Sequence, residues 1–139
     1  MKYDVRVVVT EDDFREKVAG LVGCLAFPAL CRPGGGGTVE ILVDSVPGGE
    51  VSGLEKALVK RGVAFDRYIA SDPPMVRRFR PERDGSEEVD VEVELVGGAE
   101  PAVPVSQLLE ALRECPDYGS LRRRIERLVR EAGPVPLGE

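Results

Sequence analysis

The chain has 139 residues, of which 42% are hydrophobic, 32% charged and 5% aromatic, with no histidine, no tryptophan and a net charge of −6. That length suits one domain with its own core, and the apolar share is too high for a disordered chain. No apolar run reaches the roughly eighteen residues of a membrane span, and the missing histidine removes the commonest general base and a leading metal ligand.

Residues 3–9 predict a strand, with Tyr3, Val5, Val7 and Val9 on one face. Thr10 is placed to cap a helix, and Val9 with Phe14 to staple it. Phe14, Val18, Leu21, Val22 and Leu25 recur at helical spacing, so the helix is expected to run to about Ala26 and to stop at Pro28. Residues 29–37 read as loop, closing on four glycines. A second strand follows at residues 38–43. Ser52 and Glu55 then read as a capping box for a helix that packs Leu54, Ala57 and Leu58 and ends at Gly62.

Residues 63–69 predict a third strand, broken by Pro73-Pro74. Residues 75–80 and 88–96 form the arms of a hairpin around the Asp84-Gly85 turn signal. Its second arm sends Val89, Val91, Val93 and Leu95 one way and Asp90, Glu92 and Glu94 the other. Residues 97–101 read as a linker. Two helices follow, starting at Ser106 and Ser120, and residues 133–139 read as a frayed tail. The expectation is a single α+β domain over residues 1–132, with five short strands and four helices in the order β-α-β-α-β-β-β-α-α.

Chemistry-bearing residues are few. Cys24, Cys31 and Cys115 form neither a disulfide framework nor a zinc spacing, and Cys24 reads as a small buried hydrophobe on the first helix. The glycine run precedes a strand rather than a helix and lacks the lysine and hydroxyl of a phosphate loop. The serines have no histidine to activate them. No metal or other cofactor is expected, and binding is expected over catalysis.

Charge, by contrast, is patterned. Residues 84–100 hold seven acids and no base, between an island of Arg77, Arg78, Arg80 and Arg83 and a second of Arg122, Arg123, Arg124, Arg127 and Arg130. Glu87, Glu88, Asp90, Glu92 and Glu94 are the candidate protein-binding residues. Arg78 and Arg80, one strand away, are candidates to sit opposite these acids. Two alternatives remain open: a nucleic-acid-associated regulator using Arg77, Arg78, Arg80, Arg122, Arg123, Arg124 and Arg127, and a metal-dependent hydrolase using the acidic strand.

Three stretches carry a resemblance. They are Leu54-Glu55-Lys56-Ala57-Leu58-Val59-Lys60-Arg61-Gly62-Val63-Ala64-Phe65-Asp66-Arg67-Tyr68, Val76-Arg77-Arg78-Phe79-Arg80-Pro81 and Val103-Pro104-Val105-Ser106-Gln107-Leu108-Leu109. Across roughly residues 50–130 the chain resembles small uncharacterised proteins carried on bacterial plasmids and prophages. The resemblance implies a mobile-element accessory protein, without a catalytic motif to carry over. Proteins of that kind often look like binders of host machinery, inhibitors of nucleic-acid-handling defence complexes among them. With the charged N-terminus, this points to a cytoplasmic protein whose acidic surface meets the basic groove of a host protein.

Overall fold

The structure, a computed structural model, describes every residue except Cys24, Gly97, Gly98, Ala99, Val135 and Glu139. The expectation for Cys24, and that for most of the linker, therefore fall outside the described residues. Strand β1 (Lys2–Thr10) leads into helix α1, which comprises Glu11–Asp13, a π-helical turn Phe14–Val18 and Ala19–Val22. Strands β2 (Ala29–Pro33) and β3 (Thr38–Pro47) form a hairpin, helix α2 (Ser52–Lys60) follows, and β4 (Phe65–Ile69) returns to the sheet. Strands β5 (Met75–Arg80) and β6 (Val89–Val96) extend it, with a two-residue β7 (Glu100–Pro101) at the edge. Helices α3 (Val105–Glu114) and α4 (Tyr118–Ala132) complete an α+β fold.

The sheet order is β2-β3-β1-β4-β5-β6-β7, antiparallel throughout. Its first four strands and first two helices make the split β-α-β arrangement of ferredoxin-like folds. In that arrangement both crossover helices lie on one face. Val5, Val7 and Val9 of β1, Ile41 and Val43 of β3, and Phe65 and Phe79 further out meet Val18, Leu54 and Leu58 there, all buried. The alternation expected for β1 is thus the core itself, because period-2 side chains share a face. Thr10 caps α1 as expected, its Oγ1 accepting from the Asp13 N–H at 3.2 Å.

Several local expectations change. Residues 29–33 are an edge strand, not loop; Pro28 and Pro33 stand at its two ends, where a missing N–H costs the ladder least. Helix α1 ends at Val22, four residues early. Strand β3 runs four residues further than expected, past a bulge where Ser45 takes φ 55° and its N–H bonds Asp4 Oδ1 at 2.9 Å. The Ser52–Glu55 capping box does not form: Val51 occupies the cap position with no side-chain bond, and Glu55 is drawn instead to two arginines. Asp117, rather than Ser120, caps α4 by accepting from the Ser120 N–H at 2.8 Å.

The C-terminal segment, expected to fray, is tied across the second face of the sheet. Pro134 O accepts from Arg78 Nη1 at 3.0 Å, and the Leu137 N–H donates to Asp66 Oδ2 at 3.0 Å. Buried partners on strands thus hold a segment whose composition gives no hint of them. Among the described residues, no helix is long and apolar enough to cross a membrane.

Leu58, fully buried between α2 and the sheet, and Leu30, 64% exposed on β2, give a direct test of this layering. Leu58→Ala should lower stability by about 2–5 kcal/mol and Leu30→Ala by no more than about 0.5 kcal/mol, read as midpoint shifts in urea unfolding at constant slope.

Candidate functional site

Beyond β4 the sheet outruns its helices. Helix α2 is 9 residues long, and on its own side of the sheet it leaves the outer strands to be covered by their own side chains. Arg67 on β4 and Arg77 on β5 are direct neighbours in register and share the core-side face with Phe65 and Phe79. Glu55 reaches over from α2, its Oε1 accepting from Arg67 Nη1 at 3.0 Å and Arg77 Nη1 at 3.2 Å. Strand β6 closes the network from the other side. Glu92 accepts from Arg67 Nη2 at 2.7 Å, and Asp90 takes a two-pronged bond from Arg77, both distances 2.9 Å. Phe65 adds its ring face, with the Arg77 guanidinium 5.5 Å from the centroid.

The opposite face carries a second network. Asp66, 1% exposed, accepts from Arg80 Nη1 at 2.8 Å and lies 3.7 Å from Arg78 Nε. Arg78 is 2% exposed, and its Nε and Nη2 have no hydrogen-bond partner among the described residues. Its stem packs as apolar bulk would.

These contacts settle which acids remain open. The register sets Arg77 opposite Glu92 and Arg78 opposite Val91. Arg78 and Arg80 therefore do not oppose the acidic row as expected: they point to the Asp66 face, and Arg77 with Arg67 takes their place. All five acids are exposed, but Asp90 and Glu92 are ion-paired, whereas Glu87, Glu88 and Glu94 carry no ion pair among the described residues. The core-side network sets two arginines against three acids, so its net charge is −1. Together with the three unpaired glutamates, that network sums to −4, against +1 for the Asp66, Arg78 and Arg80 network on the opposite face.

The arginine candidates do not converge on one surface. Arg77 lies on one face of the sheet, Arg78 and Arg80 on the other. On α4, Arg122 pairs with Glu126 at 3.0 Å, Arg124 with Glu114 at 3.4 Å and Arg127 with Glu131 at 3.9 Å. Asp117 has its carboxyl held low chiefly by the Ser120 N–H, with a smaller contribution from the charge of Arg123. A groove of about 560 Å³ along α4 is lined by Arg123, Arg124, Arg127 and Arg130, with Glu126 among them. The two described cysteines, Cys31 and Cys115, are free thiols, and no metal-holding group of three acids or thiols occurs among the described residues.

The residues that organise the site and that composition did not single out are Glu55, Asp66 and Arg67. The signal for Arg67 is its place between Phe65 and Ile69 in a strand whose alternate residues face the core. Comparison with family models, with curated proteins and with solved structures finds no match to this chain.

Each network has its own signature in unfolding. Asp66→Leu leaves buried Arg78 without its carboxylate and should cost about 3–5 kcal/mol in urea unfolding, whereas Asp66→Leu with Arg78→Met should recover most of it. The Arg77 hydrogen bonds hold Asp90 below its ordinary carboxylate range, and hydrogen bonds from Arg32, aided by the charge of Arg6, do the same for Glu40, in each case against opposing desolvation. Both groups therefore favour the fold above the unfolded carboxylate pKa of about 4, and that contribution is lost as pH falls through the lowered values. Asp90→Asn should flatten the acid limb of stability against pH below about 4 while leaving the slope near neutrality unchanged.

Proposed function

We propose that this chain is a non-catalytic interaction protein that presents the β6 rim to a basic groove on a protein partner. The observation that carries the reading is the charge left after internal pairing. Arg67 and Arg77 neutralise only the middle of the row, so Glu88 and Glu94 stand at its two ends with Glu87 beside them. Alternate carboxylates on a strand lie about 7 Å apart, a spaced anionic row of the kind a phosphate-binding groove accepts. The arginines beneath hold Asp90 and Glu92 in place, so part of that row is pre-ordered before any encounter.

The same networks support binding over catalysis. Glu55 and Asp66, the two buried carboxylates among the described residues, are each paired with two arginines, Glu55 through Oε1 and Asp66 through both oxygens, which commits them to charge pairing. The resemblance to mobile-element accessory proteins fits a partner in the host cell. A nucleic-acid-handling complex, whose grooves are built for phosphates, is the partner class this chemistry suits.

The test is capture from a bacterial host lysate at rising salt with wild type, Glu87→Gln/Glu88→Gln/Glu94→Gln and Asp90→Asn. Wild type should retain basic proteins that elute as salt rises, and the triple variant should lose at least tenfold of that retention. Asp90→Asn, which removes an internally paired charge, should lose less. An unchanged partner set with the triple variant would overturn the proposal.

A further inference from the structure

Helix α3 and the longer helix α4 bury little: among their described side chains only Ala111 and Leu128 are buried. Val105, Leu109 and Leu112 of α3 are 68%, 50% and 61% exposed, and they fall at i, i+4 and i+7. Tyr118, Ile125 and Val129 of α4 are 76%, 36% and 58% exposed, and fall at i, i+7 and i+11. Each set is a straight stripe along its helix, next to the buried Ala111 on α3 and Leu128 on α4. The two helices touch each other across the short connection Cys115-Pro116-Asp117. Among the described residues, neither a sheet face nor the tail covers the stripes.

We infer that this helical pair is the interface through which a second copy of the chain binds, giving a closed two-fold dimer built on four helices. This inference rests on a different surface from the β6 rim and stands or falls apart from it.

Area and charge favour a second copy. Together the six side chains present on the order of 600 Å² per copy, against the roughly 800 Å² per partner of a standard interface. The aliphatic stems of flanking Arg113 and Arg122 supply further apolar surface. Residues 105–132 hold six arginines and five acids, a net charge of +1, which leaves −7 on the rest of the chain. Two copies that meet elsewhere bring like charge together. Meeting through the helical pair keeps the −7 bodies apart and joins the near-neutral ends, where both signs are interspersed. An isologous contact also matches each stripe to its own symmetry mate, so the assembly closes.

Sedimentation equilibrium of the full chain, from low micromolar to high micromolar concentration, tests the inference. Wild type should give twice the 15.1 kDa chain mass. Leu109→Glu/Val129→Glu should give the single-chain mass, its dissociation constant raised at least a hundredfold, with an unchanged helical circular dichroism signal. A wild type that stays at the single-chain mass at the highest concentration overturns the dimer, and so does a folded glutamate variant that stays at twice that mass. A mass that keeps rising with concentration overturns closure. If the glutamate pair loses helical signal, the milder Leu112→Gln/Tyr118→Gln pair is read in the same way, and a dimer intact in it is equally fatal. Glu87→Gln/Glu88→Gln/Glu94→Gln should remain dimeric, which separates this surface from the acidic rim.

Discussion

The outer half of this sheet depends on one constraint: it is wider than the helices that cover it. Four strands and two helices can bury an apolar face between them, as Val7, Ile41, Phe65 and Leu58 do. Strands β5 and β6 lie beyond that cover. Arginine resolves the mismatch, because its stem fills space beside Phe65 and Phe79 while its terminal nitrogens pair with carboxylates from α2 and β6. The Arg67–Arg77 pair thereby ties α2, β4, β5 and β6 into one unit. Removing charge from any of these elements would expose the others' unmatched groups.

The surface chemistry follows from that solution. The arginines take up the acids nearest to them, so the charge visible to a partner is a remainder, not the row itself. A chain with 25 acids and 19 bases has its excess acid at the sheet edge and over the body, and its near-neutral stretch at the helical pair. Those two surfaces differ in kind. One is polar and anionic, suited to steering an encounter, and the other is apolar, suited to lasting contact.

Much of the architecture was legible in local pattern. The valines of β1, the Thr10 cap, the Asp84-Gly85 turn and the alternation of β6 each act over a few residues, and each stands where the pattern placed it. The misreadings have local causes too. Two prolines masked β2, since an edge strand tolerates what a central one does not. Glu55 suits a capping box by spacing, but a buried guanidinium pair holds it more strongly than a helix terminus does. For the candidate site, the alternation of β6 groups Asp90 and Glu92 with Glu94, and nothing in the composition separates the acids that pair with Arg67 and Arg77 from Glu87, Glu88 and Glu94, which do not.

The sequence by itself determined which residues share a strand face, because side chains alternate with a period of two and that rule needs no neighbour. It also determined the fold class and the uneven spread of charge. Only the tertiary structure decided what stands opposite each face. Arg77 rather than Arg78 meets the acids because the pairing register of β5 with β6 sets which residue stands opposite, and a shift of one residue would exchange the two. The same holds for Pro134 and Leu137, which are anchored by Arg78 and Asp66 some 56 and 71 residues away.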